Sequence, residues 1–370
     1  MVKVLHMISG GETGGSRKHV VTLLSKFPSE NVCLLVFQDG PLAQEAREAG
    51  IRVQLIKQSS RYDLSVLTKV ISFIRKEKFD ILHTHGPRAN LIGFLIHRVL
   101  PCKWVTTVHS DPKLDFMKRG WKGAIFTKLN LISLKRVHYF FAVSERFKEN
   151  LIELGIPGHK IQTVYNGIDF TPKVKKAEHL QQQLGLLPDE FIMTMVARLH
   201  PVKCHELVLR AFQNADLPKG KLLLIGDGPI RQELEKLVEQ LGLSQQVKFL
   251  GFRKDVQELY SISHVALLAS QSESFPLVLL EAANEEVPVI STDVGGVREL
   301  ISDDNKGWVV PVGDEVAYCQ AMKEAYQHFL QGTLLEKGVE LRKHAEKYFS
   351  LDHLYQLTVE TYEQLLKRKN

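Results

Sequence analysis

Cysteine is scarce in this chain. The four present (Cys33, Cys102, Cys204 and Cys319) show no CxxC spacing, which excludes a disulfide scaffold or a zinc ribbon and makes a reducing cytoplasm the expected home. No apolar run approaches the length of a membrane-spanning helix. The apolar start, Met1 to Ser9, is too short for a signal peptide and runs straight into glycines, so it reads as a first strand. There is no internal repeat and no low-complexity segment. HExxH, GxGxxG and the lysine of a P-loop are missing as well, which removes the strongest metal and phosphate signatures.

What is there suits two globular domains. The 370 residues are too many for one ordinary core, and 44% hydrophobic with 24% charged residues is a globular composition. A net charge of +6 hides an asymmetry: residues 1–172 carry 25 Lys and Arg against 14 acids, residues 173–370 carry 23 against 28. A basic half can meet nucleic acid, an anionic membrane surface or a phosphorylated substrate. Short apolar strands alternate with amphipathic helices throughout, from Val2–Ser9 and Ile81–His83 to Phe191–Val196 and Val265–Ala269. This α/β alternation predicts parallel sheets with helices on both faces. The break falls in "NGIDFTPKVKKAEHL", residues 166–180, giving domains over 1–170 and 171–350. Two doubly wound, Rossmann-like domains facing each other across a cleft are expected, with ligands at the carboxyl ends of the strands.

Four stretches carry candidate chemistry. "SGGETGGSRKHVV" follows the first strand and opens a helix, and is either an anion contact through amides near Gly15 and Ser16 or a tight turn alone. "HTHGPRAN" and "TVHSD" put His83, His85 and His109 at strand ends without metal-ligand spacing. His109 is the one expected to face the cleft, and two of the three are expected to be structural. "VARLHPVKCHELVLRAF" places Arg198 and Lys203 in a strand-to-helix turn, where a fork and a point charge suit a diphosphate, or where both are simply solvated. In "SESFPLVLLE" Pro276 reads as the first helical residue, with amides at Leu277 and Val278 free for a phosphate between Glu273 and Glu281. A capped amphipathic helix would look the same.

Taken together, "ARLHPVK", "GDGP" (226–229), "ESFPLVLLE", "STDVGGVRELI" (291–301) and "VYNGID" (164–169) resemble the family 4 retaining glycosyltransferases of the GT-B fold, over nearly the whole chain. The resemblance implies a nucleoside-diphosphate sugar as donor, UDP-linked above all, and retention of anomeric configuration. It implies Glu281 on the ribose, Glu273 on the transferred sugar, Arg198 and Lys203 on the diphosphate, and His109 near the donor sugar. Phe275, Pro276, Leu277, Gly15 and Gly226 would complete the donor site, and the last helix, within 351–370, would return to the first domain. Glycan, lipid-linked and small-molecule acceptors all fit, and no nucleic acid is expected. No Asp-x-Asp occurs, so no cofactor or metal is expected. Many relatives have glycine where this chain has Ser274, Pro276 and Cys204, and a small-residue turn where it has "AANEEVPV". Other functions compatible with such a chain are a sugar-nucleotide epimerase, a glycan phosphorylase and a non-catalytic sugar-nucleotide-binding protein.

One stretch stands apart from the donor site. Between Lys113 and Arg136 seven basic residues meet the single acid Asp115, among Phe116, Met117, Trp121 and Phe126. Such a segment can dock on an anionic leaflet from the cytoplasmic side or meet an anionic soluble acceptor. Its stripe Trp121, Ile125, Leu129, Ile132 can equally pack on the sheet.

Overall fold

A computed structural model of the chain describes residues 2–12, 15–58, 63–100, 102–109 and 120–367. The chain divides into two compact units, Met1–Gly167 with Leu351–Asn370, and Ile168–Ser350.

The first unit is built on seven parallel strands: β1 (Val4–Ile8), β2 (Val32–Val36), β3 (Val53–Leu55), β4 (Ile81–His85), β5 (Lys103–Val108), β6 (Tyr139–Ala142) and β7 (Ile161–Thr163). Their order is β3-β2-β1-β4-β5-β6-β7. The chain winds outward from β1 and then jumps back to β4, so the carboxyl ends of β1 and β4 flank a point where the connections leave in opposite directions. Open parallel sheets take ligands there.

Both faces of this sheet are covered, so its strands are continuous apolar runs rather than alternating ones. On one face Leu5, Leu35, Leu82 and Trp104 meet the helices Ser65–Glu77 and Pro87–Ile96. On the other, Val4, Ile81, Val105 and Phe141 meet Leu23 and the closing helix Leu351–Lys367 through Leu354, Tyr362 and Leu365. β4 runs further than its apolar residues suggest: Thr84 and His85 are buried strand residues because their polar groups find partners inside the unit.

The second unit repeats the plan with β8 (Phe191–Val196), β9 (Gly220–Ile225), β10 (Val247–Gly251), β11 (Val265–Leu268), β12 (Val289–Thr292) and β13 (Gly307–Val310), all parallel. The order β10-β9-β8-β11-β12-β13 puts the reversal between β8 and β11. The loops after these two strands carry Arg198, Lys203 and Glu273.

Of the basic segment, residues 113–119 lie outside the described residues. From Gly120 the chain is helical to Leu134. At its described end the apolar stripe does not pack on the sheet. Leu129 and Ile132 are exposed, while Asn130, Ser133 and Leu134 are buried, so the helix is turned away from the expected face. No described helix is long and apolar enough to cross a membrane.

Candidate active site

In the second unit the site residues are brought together by backbone approaches that only glycine permits. Past β8, Ala197 donates its N–H to the Ile225 carbonyl (2.9 Å) and Leu199 to that of Asp227 (3.0 Å). A Cβ on Gly226 would stand 2.1 Å from the Ala197 oxygen, and one on Gly228 2.1 Å from that of Leu199. Gly226 therefore has a packing reason for being glycine: it holds the Arg198 loop against the end of β9. Arg198 is exposed and makes no hydrogen bond or ion pair to any described residue. One 3-10 turn, Pro201–Lys203, leads to Cys204 in the left-handed region (φ 52°), which explains why glycine suits this position. The helix His205–Ala215 follows.

The loop after β11 is tied to that turn by the Gln271 N–H, which donates to the Val202 carbonyl at 2.8 Å. This contact brings Lys203 Nζ onto Glu273 Oε1 as an ion pair, both side chains largely buried. The same carboxylate oxygen accepts from Ser270 Oγ at 2.7 Å, so Glu273 is held from two directions. Beneath the loop lies the glycine pair of "DVGGVREL". A Cβ on Gly295 (φ +51°) would be 2.5 Å from the Ser274 carbonyl, and one on Gly296 2.4 Å from the Phe275 ring. Phe275 is buried and stacks on Phe349 with ring centres 5.2 Å apart.

Pro276 is not the first helical residue. It is the extended N-cap (ψ 95°) of the helix Leu277–Asn284. The backbone stays extended to that point because Phe275 has to reach its place between Gly296 and Phe349. Leu277 still opens the helix, so the amides of Leu277 and Val278 lie outside its internal ladder and its positive dipole end is at the loop.

Glu281 is half-buried on this helix, near Tyr260. The Tyr260 hydroxyl donates to the Val278 carbonyl at 3.1 Å, and burial, reinforced by the Glu281 charge, pushes its pKa well up. At the far end of the helix, Asn284 Oδ1 accepts from the Thr171 N–H (2.9 Å) and the Glu285 carboxylate from the Val174 N–H (3.0 Å). Glu286 takes the left-handed conformation there (φ 59°). The unusual "AANEEVPV" turn is thus an anchor for the helix that carries Glu281.

In the first unit Gly15 is the exposed first residue of the helix Gly15–Ser25. Before it, the Glu12 carboxylate accepts from the N–H of Gly10 (2.7 Å) and of Ser9 (3.2 Å). Its pKa is raised by burial, against the opposing pull of those amides. His109 directly follows β5, half-buried, with burial holding its pKa well below the usual imidazole range. His83 and His85 are fully buried and hydrogen-bonded within the unit. Glu12, Ser270, His6 and Tyr362 were missed by sequence reasoning. His6 had a signal, as the single polar residue of the otherwise apolar strand VLHMI.

Comparison with known proteins agrees with this architecture. The profile of "Glycosyltransferase Family 4" matches residues 13–171, and that of "Glycosyl transferases group 1" matches 176–347. Over 320 residues the chain is 31% identical to an N-acetyl-alpha-D-glucosaminyl L-malate synthase of Bacillus anthracis, covering 82% of this chain and 81% of that protein. It is 28% identical over 271 residues to an Escherichia coli UDP-Gal:alpha-D-GlcNAc-diphosphoundecaprenol alpha-1,3-galactosyltransferase, covering 70% of each. Among solved structures, Anabaena Alr3699/HepE in complex with UDP superposes with a TM-score of 0.87 at 20% identity, over 98% of this chain and 100% of that one. The same protein with UDP-glucose gives 0.82 over the same shares at 20% identity. The structural likeness establishes two Rossmann-like sheets of the GT-B type, and the profiles and the Bacillus relative show that the chain belongs to the family 4 glycosyltransferases.

Proposed function

We propose that this glycosyltransferase moves a hexose from a UDP-sugar to an anionic acceptor with retention of anomeric configuration. The observation that carries the donor reading is the Lys203–Glu273 pair, set between the exposed Arg198 and the free start of the helix Leu277–Asn284. In this reading Arg198, Lys203 and the amides of Leu277 and Val278 receive the diphosphate. Glu273 turns its carboxylate to the sugar hydroxyls when Lys203 moves to phosphate, and Glu281 takes the ribose hydroxyls. As the bond from sugar to diphosphate breaks, negative charge grows on the leaving oxygen. Groups already aimed at that charge lower the barrier without reorganising. A structural relative that binds UDP and UDP-glucose supports uridine as the base.

Two relatives are named for unlike acceptors, L-malate and a diphosphoundecaprenol-linked sugar. Both are anionic, and the excess of basic residues over 1–172 suits either. Exposed Leu129 and Ile132 beside the basic stretch favour the lipid-linked kind.

The test is product analysis with a panel of nucleoside-diphosphate sugars and both acceptor kinds. Transfer from the UDP-sugar, with the product anomer matching the donor, is expected. An inverted product, or donor conversion without any acceptor as an epimerase would give, refutes it. Turnover is also expected to survive EDTA, since cations of the chain itself meet the diphosphate. Loss in EDTA restored by magnesium or manganese overturns that part.

A further inference from the structure

The first unit contains a line of histidines that sugar transfer does not by itself explain. β1, β4 and β5 lie side by side, with His6 in register with His83 and His85 with Thr107. Strand side chains alternate, so all four occupy one face, the face covered by Tyr362 of the closing helix. His83 Nε2 meets Thr107 Oγ1 at 2.7 Å, and its Nδ1 meets the Tyr362 hydroxyl at 2.5 Å. That hydroxyl also reaches His6 Nε2 at 3.4 Å. His6 Nδ1 then meets His85 Nε2 at 2.9 Å, and His85 Nδ1 meets His109 Nε2 at 3.1 Å.

The last two contacts are aligned head to head. The ring centres of His6 and His85 are 5.2 Å apart, and those of His85 and His109 5.4 Å. Each separation exceeds its nitrogen-to-nitrogen distance by about 2.3 Å, two imidazole radii, so both ring centres and both nitrogens lie nearly in line. Nitrogens facing each other this closely share one hydrogen and leave no room for an ion between them. The cluster His6, His83, His85 has the composition of a metal site, but its geometry is that of a hydrogen-bond chain. Burial keeps these rings neutral, pushing His6 down to about 3 and His83, His85 and His109 well below their usual range.

A neutral imidazole has one N–H and one lone pair, so the direction of one bond sets that of the next. The direction follows from Tyr362. Its single proton belongs on the shorter contact, to His83, because O–H donors make the shorter bonds. The phenol oxygen then accepts from His6 Nε2–H, His6 Nδ1 accepts from His85 Nε2–H, and His85 Nδ1 accepts from His109 Nε2–H.

We propose that Tyr362, His83, His6 and His85 are positioning residues that lock His109 in its Nε2–H tautomer and so make its Nδ1 a permanent acceptor for a substrate hydroxyl. The substrate part rests on the reading, implied by the family resemblance, that His109 lies near the donor sugar.

The experiment is ring-nitrogen NMR of the full chain with isotopic nitrogen in its histidines, in wild type and Tyr362→Phe. Wild-type His109, His85 and His6 are expected as single Nε2–H tautomers. In Tyr362→Phe they are expected to become mixtures, with donor KM raised, since a sugar hydroxyl contact is made in the ground state as well. His109 found as Nδ1–H or as a mixture in the wild type overturns the proposal, and this needs no variant to fold. So does an unchanged His109 tautomer in Tyr362→Phe. Stoichiometric zinc in the purified protein, lost in His85→Gln, overturns it in favour of a metal centre. A locked tautomer together with full turnover of His109→Ala supports the lock and removes only the sugar-facing role.

Discussion

At the residue scale, Lys203 and Glu273 neutralise one another while Arg198 has no described partner. Arg198 can therefore be removed without orphaning a buried charge. Arg198→Ala is expected to lower kcat by about a hundredfold or more, the usual effect of deleting a group that stabilises developing charge, at an unchanged melting temperature. Glu281→Ala is expected to raise donor KM instead, because a ribose contact is made equally in the ground and transition states. Steady-state kinetics decide: a fall in kcat at constant KM for Glu281→Ala reverses the assigned roles. The charged residues were legible from their types and from the turns around them. The ion pair was not, because Lys203 and Glu273 are 70 positions apart and only the β8–β11 adjacency joins them.

At the element scale, the helix Leu277–Asn284 is held from below and behind. Gly295 and Gly296 lie under its entry loop, and Asn284 and Glu285 tie its end to residues 171–174. Gly295→Ala would place a methyl 2.5 Å from a carbonyl oxygen at φ +51°, where the backbone itself resists a side chain. A loss of about 1–3 kcal/mol of stability is expected, with weaker UDP binding because the Glu273 loop has to move. Thermal melts with and without UDP read both effects, and a variant that melts and binds like wild type shows that the loop does not depend on this contact. The strand-helix alternation was legible because each strand is an apolar run between turn residues. Pro276 was misplaced by one position because the burial of Phe275, a long-range contact, keeps the backbone extended there.

At the scale of the whole molecule, the buried histidines make stability depend on pH. His6 is lowered to about 3 and His19, His205 and His264 to about 4, each mainly by burial. An unfolded histidine titrates near about 6.5, so between that pH and about 4 the unfolded chain binds protons that the folded chain refuses. Stability is then complete above this window and lost as pH falls through it. The melting temperature is expected to drop from pH 7 to pH 5, before most carboxylates titrate; a flat profile would contradict neutral burial. The basic stretch gives a second whole-molecule expectation. Sedimentation with vesicles should need anionic lipid, weaken with salt, and fall when Lys118, Arg119 and Lys122 become Ser. Wild-type protein left in the supernatant at low salt ends the membrane reading.

The sequence by itself determined the α/β class, the strand positions and the family, because these rest on local periodicity and on short motifs whose glycines and charges are adjacent in the chain. Tertiary structure alone decided which side chains meet. Strand order brings β8 beside β11 and β1 beside β4 across long connections, with β5 on the far side of β4. That order creates the Lys203–Glu273 pair and the line from Tyr362 to His109, joining residues whose spacing in the chain says nothing of their contact.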